Sequence, residues 1–191
     1  YKNSRNPLVS IIMPAYNAGR FIARAIESAL IQNYHNFEIV VVDDGSTDNT
    51  KEILQKFNAP GIRYIALENN HGVSHARNVA IQQARGEFIV SLDADDMLMP
   101  DFVSRHLIEF EKHPDADMVY CDDLLIDEND KPIRAIKRQN YKNRKSLIRD
   151  LFRCGFPIVH CRHFVRKNVF DRIGLYDESL IIGEDYDLMR K

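Results

Sequence analysis

The stretch FIVSLDADDMLMPD, residues Phe88–Asp101, joins a short apolar run to a group of acidic residues. Phe88–Leu92 has the composition of a buried strand. The run ends in three carboxylates, those of Asp93, Asp95 and Asp96. Carboxylates this close repel one another unless protons or a cation intervene, so the stretch predicts a strand that ends at a cation site. The alternative is that these aspartates form a turn and cap the next helix, since Asp is common in loops.

Strand-like and helix-like patterns alternate on both sides of this stretch. The predicted strands are Leu8–Met13, Phe37–Val42, Ile62–Leu67, Phe88–Leu92 and a fifth within DMVYCDD, residues 117–123. The predicted helices lie within residues 19–33, 46–57, 72–86 and 101–110. Apolar residues at helical spacing indicate the first, second and fourth, and the third is expected to open near Val73 or Ser74. Such alternation implies right-handed crossovers and an α/β fold, a mostly parallel sheet with helices on both faces.

Particular residues mark the expected ends of these elements. Pro14 lacks an amide hydrogen and is expected to end the first strand. Ser46 or Thr47 is expected to cap the second helix, and Asp101 the fourth. Gly86 is expected at the C-cap of the third helix.

Beyond Asp127 the alternation loosens. DENDKPI, residues 127–133, predicts a turn between two short strands, and Ser146–Arg153 predicts a helix. From residue 155 onward short pieces alternate without a clean period, which predicts a small mixed C-terminal part. No repeat or linker divides the chain, so we predict one domain over residues 1–191.

Composition excludes several classes of function. The chain has 191 residues with 26 Lys and Arg against 28 Asp and Glu, a net charge of −2 that does not suggest a nucleic-acid partner. No apolar run reaches the roughly 18 to 20 residues of a membrane span. Cys121, Cys154 and Cys161 form no CxxC pair and are expected to be reduced thiols of a cytosolic protein rather than zinc ligands. Since the chain opens on Tyr1, we expect it to be part of a longer protein.

Polar residues follow three of the predicted strands, at the ends where parallel sheets bind ligands. They are PAYN at residues 14–17, DDGS at 43–46 and DADD at 93–96. Mg²⁺ or Mn²⁺ would take carboxylate oxygens there and fill its other positions with a substrate's phosphates. Asp44 could accept a hydrogen bond from the ring N–H of uracil, thymine or guanine. Turn formation with Gly45 and Ser46 is the alternative, expected for one of Asp43 and Asp44.

Four segments, taken in order, resemble the inverting family 2 glycosyltransferases. The segments are SIIMPAYNAGRFIARAIESALIQNY at residues 10–34, EIVVVDDGSTDNT at 38–50, NHGVSHARNVAIQQARGEFIVSLDADD at 70–96 and GEDYDLMRK at 183–191. The resemblance covers nearly the whole chain, and four motifs together are far more specific than a lone Asp-x-Asp. It implies the Rossmann-like nucleotide-diphospho-sugar transferase fold called GT-A. Residues 1–127 would bind the nucleotide sugar and residues 128–191 the acceptor.

The resemblance also implies the roles of individual residues. The nucleotide would contact Pro14, Ala15, Tyr16, Asn17, Asp44 and Arg77 as well as Asp93 and Asp95. Asp44 would bind uracil N3–H, and Asp93 would face the ribose. For Arg77 the alternative is a salt bridge on a helix face. Asp95 would hold Mn²⁺ or Mg²⁺, and Asp96 would share either task.

Asp185 resembles the catalytic base of these enzymes, with Glu184 beside it. Without the resemblance, GEDYDLM would be interpreted as the start of a helix, where acidic residues are favoured. Both interpretations can hold together. His160, in GFPIVHCRHFVRK at residues 155–167, would contact the diphosphate or the acceptor, or else bond to the backbone as a structural histidine.

The implied activity is transfer of a sugar from a UDP-sugar to a saccharide, lipid-linked or protein acceptor, with inversion and with Asp185 as general base. The setting would be cell-surface polysaccharide or glycolipid synthesis, in the cytoplasm or at the cytoplasmic face of a membrane. The oligomeric state is left open. The chain ends six residues after Asp185, where these enzymes usually continue, so a truncated C-terminus is expected. It also lacks the Gln-x-x-Arg-Trp motif of processive synthases, which favours transfer of one or a few sugars.

Other classes fit the sequence less well. A nucleotidyltransferase would need a Gly-rich loop with an Arg after the first strand, where PAYNAGRF has one glycine. A dinucleotide-dependent oxidoreductase would need G-x-G-x-x-G there. A haloacid-type phosphatase would carry its Asp-x-Asp after the first strand. A catalytically silent binding module remains the alternative outside enzymes, although Asp44, Asp95 and Asp185 argue against it.

Overall fold

The computed structural model describes residues 6–57, 59–138, 145, 149 and 163–191. Its strands are β1 (Val9–Ala15), β2 (Phe37–Asp43), β3 (Ile62–Ala66), β4 (Phe88–Ser91), β5 (Met118–Val119), β6 (Asp123–Ile126), β7 (Pro132–Ile136) and β8 (Phe164–Arg166). Six of them form one sheet in the order β3-β2-β1-β4-β8-β5, while β6 and β7 form a separate hairpin. The strands β1 to β4 are parallel, and β8 is antiparallel to β4 and to β5. The predicted mostly parallel sheet is confirmed.

Helices pack against both faces of the main sheet, as predicted. They are α1 (Ile22–Leu30), α2 (Thr50–Leu54), α3 (Val73–Gln83), α4 (Phe102–Lys112), α5 (Val169–Ile173) and α6 (Glu184–Arg190). The helices α1, α2 and α4 share one core with Ile11 and Met13 of β1. The helices α3, α5 and α6 share the other core with Ile12 of β1. Within the described residues, no helix has the length and apolar character needed to cross a membrane.

The first strand does not end at Pro14 as predicted. It continues to Ala15, and Pro14 pairs with Val42 of β2. On its other side β1 pairs with β4 only as far as Ile12, opposite Ser91. Because the β4 ladder has ended there, the missing amide hydrogen of Pro14 costs no strand pairing on that side.

Two of the predicted helix ends are also wrong. The helix α2 begins at Thr50 rather than after Ser46 or Thr47, because Asp48 Oδ1 accepts the Thr50 N–H at 2.9 Å. The helix α3 ends at Gln83, three residues before Gly86. A Cβ on Gly86 would lie 2.6 Å from Ser10 N, so this glycine serves close packing against β1.

Asp101 occupies the N-cap position of α4 as predicted, although its carboxylate pairs with Arg105 instead of capping. The hairpin around residues 127–133 is confirmed as β6 and β7. The fifth strand is shorter than DMVYCDD, and β8 was not predicted. The predicted helix Ser146–Arg153 lies, apart from Arg149, outside the described residues. Cys154 and Cys161 lie outside them as well.

Candidate functional site

The three polar segments that follow β1, β2 and β4 lie along one edge of the sheet. These strands are neighbours in the order β2-β1-β4 and run parallel, so their carboxyl ends are adjacent. Ligands of open α/β sheets bind at this edge. The predicted convergence of residues 14–17, 43–46 and 93–96 is therefore confirmed as a property of the fold.

Arg77 of α3 lies at the centre of this region, with 4% of its surface exposed. Its Nη2 donates to Asp93 Oδ1 at 3.1 Å. Its Nη1 donates to Glu184 Oε1 at 3.2 Å and to Asp185 Oδ1 at 3.1 Å. Arg77 thus forms salt bridges, but with residues that follow β4 and begin α6 rather than along its own helix. One guanidinium joins the acidic cluster to the candidate base.

The acidic cluster is compact. Carboxylate oxygens of Asp93, Asp95 and Asp96 lie within 4.8 Å of one another. Asp95 is exposed, and the other two are half-buried. The Asp96 N–H also donates to the Asp93 carbonyl at 3.0 Å, so the backbone forms the turn that was the alternative interpretation. A set of clustered carboxylate oxygens fits a hard divalent cation such as Mg²⁺ or Mn²⁺.

The carboxylate of Asp44 is buried, with 2% of the residue exposed. Its Oδ1 accepts the His71 N–H at 2.9 Å, and its Oδ2 accepts the Gly72 N–H at 2.7 Å. These amides lie immediately before α3, so they fix the Asp44 carboxylate against the start of that helix. Each oxygen has a second lone pair that can accept another hydrogen bond.

Asp43 forms the turn that was expected of one of the two neighbouring aspartates. Its Oδ1 accepts the Ser46 N–H at 3.0 Å. Its Oδ2 accepts the Tyr64 hydroxyl at 3.0 Å. Burial, followed by this hydrogen bond and the negative charge of Asp43, raises the pKa of Tyr64 to about 12. Gly45 completes the turn with φ +74°, where a Cβ would lie 2.6 Å from Asn69 C.

The PAYN segment divides into two parts. Pro14 and Ala15 are buried in β1, whereas Tyr16 is 50% exposed. Asn17 has φ +47°, and its Oδ1 accepts the Thr47 N–H at 2.9 Å. Its own N–H donates to Ser46 Oγ at 2.9 Å. Asn17 therefore connects the loop after β1 to the loop after β2, a contact that the sequence analysis did not foresee.

The candidate base lies at the start of the last helix. Asp185 is the second residue of α6 and is 5% exposed. Glu184 precedes it and is half-buried. Gly183, immediately before α6, has φ +84°. The positive end of a helix stabilises carboxylates in its first turn. The interpretation of this segment as a helix start is confirmed, and the role of Asp185 as a base stays a prediction. His160 lies outside the described residues.

Sequence reasoning missed the residues that attach this segment to α3. Asn78 is 5% exposed and bonds to Tyr176 and Glu178. The Tyr176 ring lies 5.4 Å from Arg77 Cζ. The only sequence signal was the position of Asn78 next to Arg77 in the SHARN motif.

Comparisons with known proteins show the family of this chain. Residues 10–174 match the family model for glycosyl transferase family 2. A glycosyltransferase of Rickettsia typhi, described as uncharacterised, is 36% identical over 192 residues, which are 100% of this chain and 60% of that protein. The hyaluronan synthase of Pasteurella multocida is 43% identical over 190 residues, 98% of this chain and 19% of the synthase. The chain therefore spans about three fifths of the first relative and a smaller part of the second.

The fold also matches a solved structure with a bound sugar nucleotide. S. aureus TarS 1-349 in complex with UDP-GlcNAc superposes with a TM-score of 0.77 and 26% identity, over 95% of this chain and 52% of that one. The parallel strands and the helices on both faces are thus those of GT-A enzymes. The chain belongs to glycosyltransferase family 2.

Proposed function

We propose that the protein transfers a sugar from a UDP-sugar to an acceptor hydroxyl, with inversion at the anomeric carbon and with Asp185 as general base. The observation that carries this proposal is the triple contact of Arg77. Its guanidinium holds Asp93, of the acidic cluster, and Asp185 at 3.1 Å each. A donor bound at the cluster and an acceptor activated by Asp185 would therefore meet in one place.

The nucleoside would lie at the ends of β1 and β2. Asp44 is held rigidly by two backbone amides, and its remaining lone pairs suit the N3–H of uracil. Tyr16, half exposed immediately after β1, would offer a ring face to the base. The pocket for the nucleoside would be shaped by Pro14, Ala15 and Asn17. Asn17 would act through its contacts with the loop after β2. The UDP and UDP-GlcNAc complexes of TarS support a uracil nucleotide as donor.

A divalent cation, Mn²⁺ or Mg²⁺, would be held by Asp95, with Asp93 directed towards the ribose and Asp96 sharing either task. When bound, such an ion supplies positive charge that stabilises the departing nucleoside diphosphate. The carboxylate oxygens of Asp93, Asp95 and Asp96 support the assignment, because they lie within 4.8 Å of one another. Clustered carboxylate oxygens are the ligands that Mg²⁺ and Mn²⁺ prefer.

Asp185 would accept the proton of the acceptor hydroxyl while that oxygen forms its bond to the anomeric carbon. The bond from this carbon to the diphosphate oxygen breaks on the opposite side, so the configuration inverts without a covalent enzyme intermediate. Arg77 orients the Asp185 carboxylate through Oδ1. Glu184 shares the same Nη1 and would help to hold the guanidinium in place.

We propose a saccharide, lipid-linked or protein acceptor, in the synthesis of a cell-surface polysaccharide or glycolipid. The similarity to a hyaluronan synthase and to an E. coli chondroitin synthase, 36% identical over 189 residues, favours a saccharide. Transfer would take place on the cytoplasmic side, because nucleotide sugars are made in the cytosol. Other parts of the protein would supply any attachment to a membrane.

Titration calorimetry with UDP, with and without Mn²⁺, tests the donor site. We expect binding that is at least about tenfold tighter with the metal, since the ion would join the diphosphate to Asp95. Absence of binding, or binding that ignores the metal, would contradict the proposal. A catalytically silent binding module would bind UDP but release no free sugar from any sugar nucleotide.

A further inference from the structure

We propose that Asn78 and Glu178 are positioning residues for the candidate base, because they attach the segment before α6 to helix α3. The inference rests on the proposed role of Asp185. It assigns a function to the last residue of the SHARN motif. The segment concerned runs from Gly174 to Gly183 and leads directly into the first turn of α6.

Asn78 forms a closed pair of hydrogen bonds with the backbone of Tyr176. Its Nδ2 donates to the Tyr176 carbonyl at 3.0 Å, and its Oδ1 accepts the Tyr176 N–H at 2.9 Å. The same Nδ2 donates to Glu178 Oε1 at 2.8 Å. A buried primary amide that makes three such bonds specifies one position for its partners, because leaving any of them unpaired is costly.

Glu178 extends this attachment along the helix. Its second oxygen, Oε2, contacts His75 Nδ1 at 3.0 Å. His75 and Asn78 are three positions apart in α3 and so lie on the same helix face. The hydrogen bond from Asn78, followed by the bond from His75, lowers the pKa of Glu178. One carboxylate thus connects two α3 side chains to the segment.

Helix α3 holds the chain at two places around the candidate base. The first place is the contact of Asn78 with Tyr176 and Glu178, and the second is the contact of Arg77 with Glu184 and Asp185. Between these two places, the side chains of two residues extend into solvent, since Ile181 is 93% exposed and Ile182 is 86% exposed.

The far end of α6 has its own anchors, since Leu188 is buried and Lys191 Nζ donates to the Leu175 carbonyl at 3.3 Å. These anchors and the Arg77 contacts hold α6 itself, whereas the segment that leads into its first turn needs a restraint of its own. The Asn78–Glu178 contact supplies that restraint. A general base must lie within hydrogen-bond reach of the proton it accepts, and a misplacement of about 1 Å can cost about a hundredfold in rate. Loss of the contact is therefore expected to affect the chemical step more than donor binding.

The test exchanges donor and acceptor across this contact. Asn78→Asp keeps the shape of the side chain but sets a carboxylate against the Tyr176 carbonyl and the Glu178 carboxylate. The double variant Asn78→Asp/Glu178→Gln restores one donor and one acceptor with their direction reversed. Gln82→Glu, at an exposed position of the same helix, is the matched control. Turnover is measured on the full-length protein as release of free sugar from UDP-GlcNAc, together with UDP affinity and thermal stability.

We expect Asn78→Asp to lower kcat at least about tenfold while the KM for UDP-GlcNAc and the affinity for UDP stay within about twofold. The double variant should recover part of the lost kcat, because the contact with position 178 is restored while the introduced carboxylate still faces the Tyr176 carbonyl. Gln82→Glu should match the unmodified protein. Three results would each overturn the inference. They are an unchanged kcat in Asn78→Asp, a loss of UDP affinity as large as its loss of kcat, and a kcat of the double variant no higher than that of Asn78→Asp. Asp185→Asn, measured beside them, separates the two proposals. If Asp185→Asn retains turnover, the role of Asp185 as base is refuted. If Asp185→Asn loses turnover while Asn78→Asp keeps a normal kcat, only the positioning role is refuted.

Discussion

Arg77 and Asp185 are 108 residues apart in the chain, yet Nη1 of the first lies 3.1 Å from Oδ1 of the second. Both residues are nearly buried. A buried ion pair contributes little to net stability, because desolvation of the two charges offsets their attraction. Its consequence here is geometric, since the pair fixes the candidate base relative to Asp93 and the acidic cluster.

Replacement of the candidate base should separate chemistry from binding. Asp185→Asn removes the proton acceptor but keeps a side chain of the same shape, so we expect release or transfer of sugar to fall by about 10² to 10⁴. UDP affinity in the presence of Mn²⁺ should change little. Turnover assays and calorimetry measure the two quantities. Asp171→Asn, an exposed aspartate of α5, is the control. Normal turnover in Asp185→Asn would remove this residue from the mechanism.

Replacement of the expected metal ligand should act on binding itself. Asp95→Ala is expected to abolish most of the increase in UDP affinity that Mn²⁺ produces, because the ion would lose a carboxylate ligand. Affinity without metal should be nearly unchanged, since Asp95 is exposed and its contribution would come through the ion. Calorimetry with and without Mn²⁺ measures both. Asp115→Ala, at another exposed aspartate, should retain the full increase in UDP affinity on addition of Mn²⁺. If Asp95→Ala retained the same increase, the assignment of Asp95 as metal ligand would be contradicted.

The turn after β2 should tolerate no side chain at Gly45. A Cβ there would lie 2.6 Å from Asn69 C, and φ is +74°. We expect Gly45→Ala to reduce the free energy of unfolding by about 2 to 4 kcal/mol, through backbone strain and displacement of the neighbouring loop. Gly174→Ala is the matched control, because φ is +80° but no described atom lies within 4 Å of its Cβ. It should cost about 1 kcal/mol. Urea unfolding measures the free energy of unfolding of both variants. Equal decreases would show that backbone strain accounts for the whole effect and that the contact with Asn69 adds nothing.

Stability should fall in mild acid because of one buried histidine. His106 packs against Phe102 and Phe164, and burial lowers its pKa. The unfolded chain binds the proton near pH 6.5, while the folded chain resists it, so the free energy of unfolding should decrease as the pH falls below about 6.5. This single group can contribute a slope of at most about 1.4 kcal/mol per pH unit. Urea unfolding between pH 5 and pH 7.5 measures the slope.

His106→Phe should flatten this pH dependence because it removes the titrating group. His35→Phe, at an exposed histidine, should leave the slope unchanged. If the two variants retained the same slope, another group would be responsible for the acid sensitivity.

The parallel strands could be predicted because burial on both faces leaves continuous apolar runs such as Phe37–Val42. The ends of the strands could not be predicted, because they depend on the adjacent strands of the sheet. Pro14 stays in β1 only because β4 has already ended beside it. The three residues of β8 are too few to show a period. Within the site, acidic residues at strand ends were visible in the sequence. The contacts of Arg77 with Asp185 and of Asn78 with Glu178 were not, since they join residues about 100 positions apart.

The position of β8 has a consequence for how the protein is made. This late strand lies between β4 and β5, and Phe164 packs its ring against Phe88 and Phe110. A nascent chain that has emerged only as far as β5 would therefore expose one edge of β4 and leave a gap in the aromatic core. Open strand edges promote association between chains, so the sheet stays vulnerable on the ribosome until residues beyond Arg166 have left the exit tunnel.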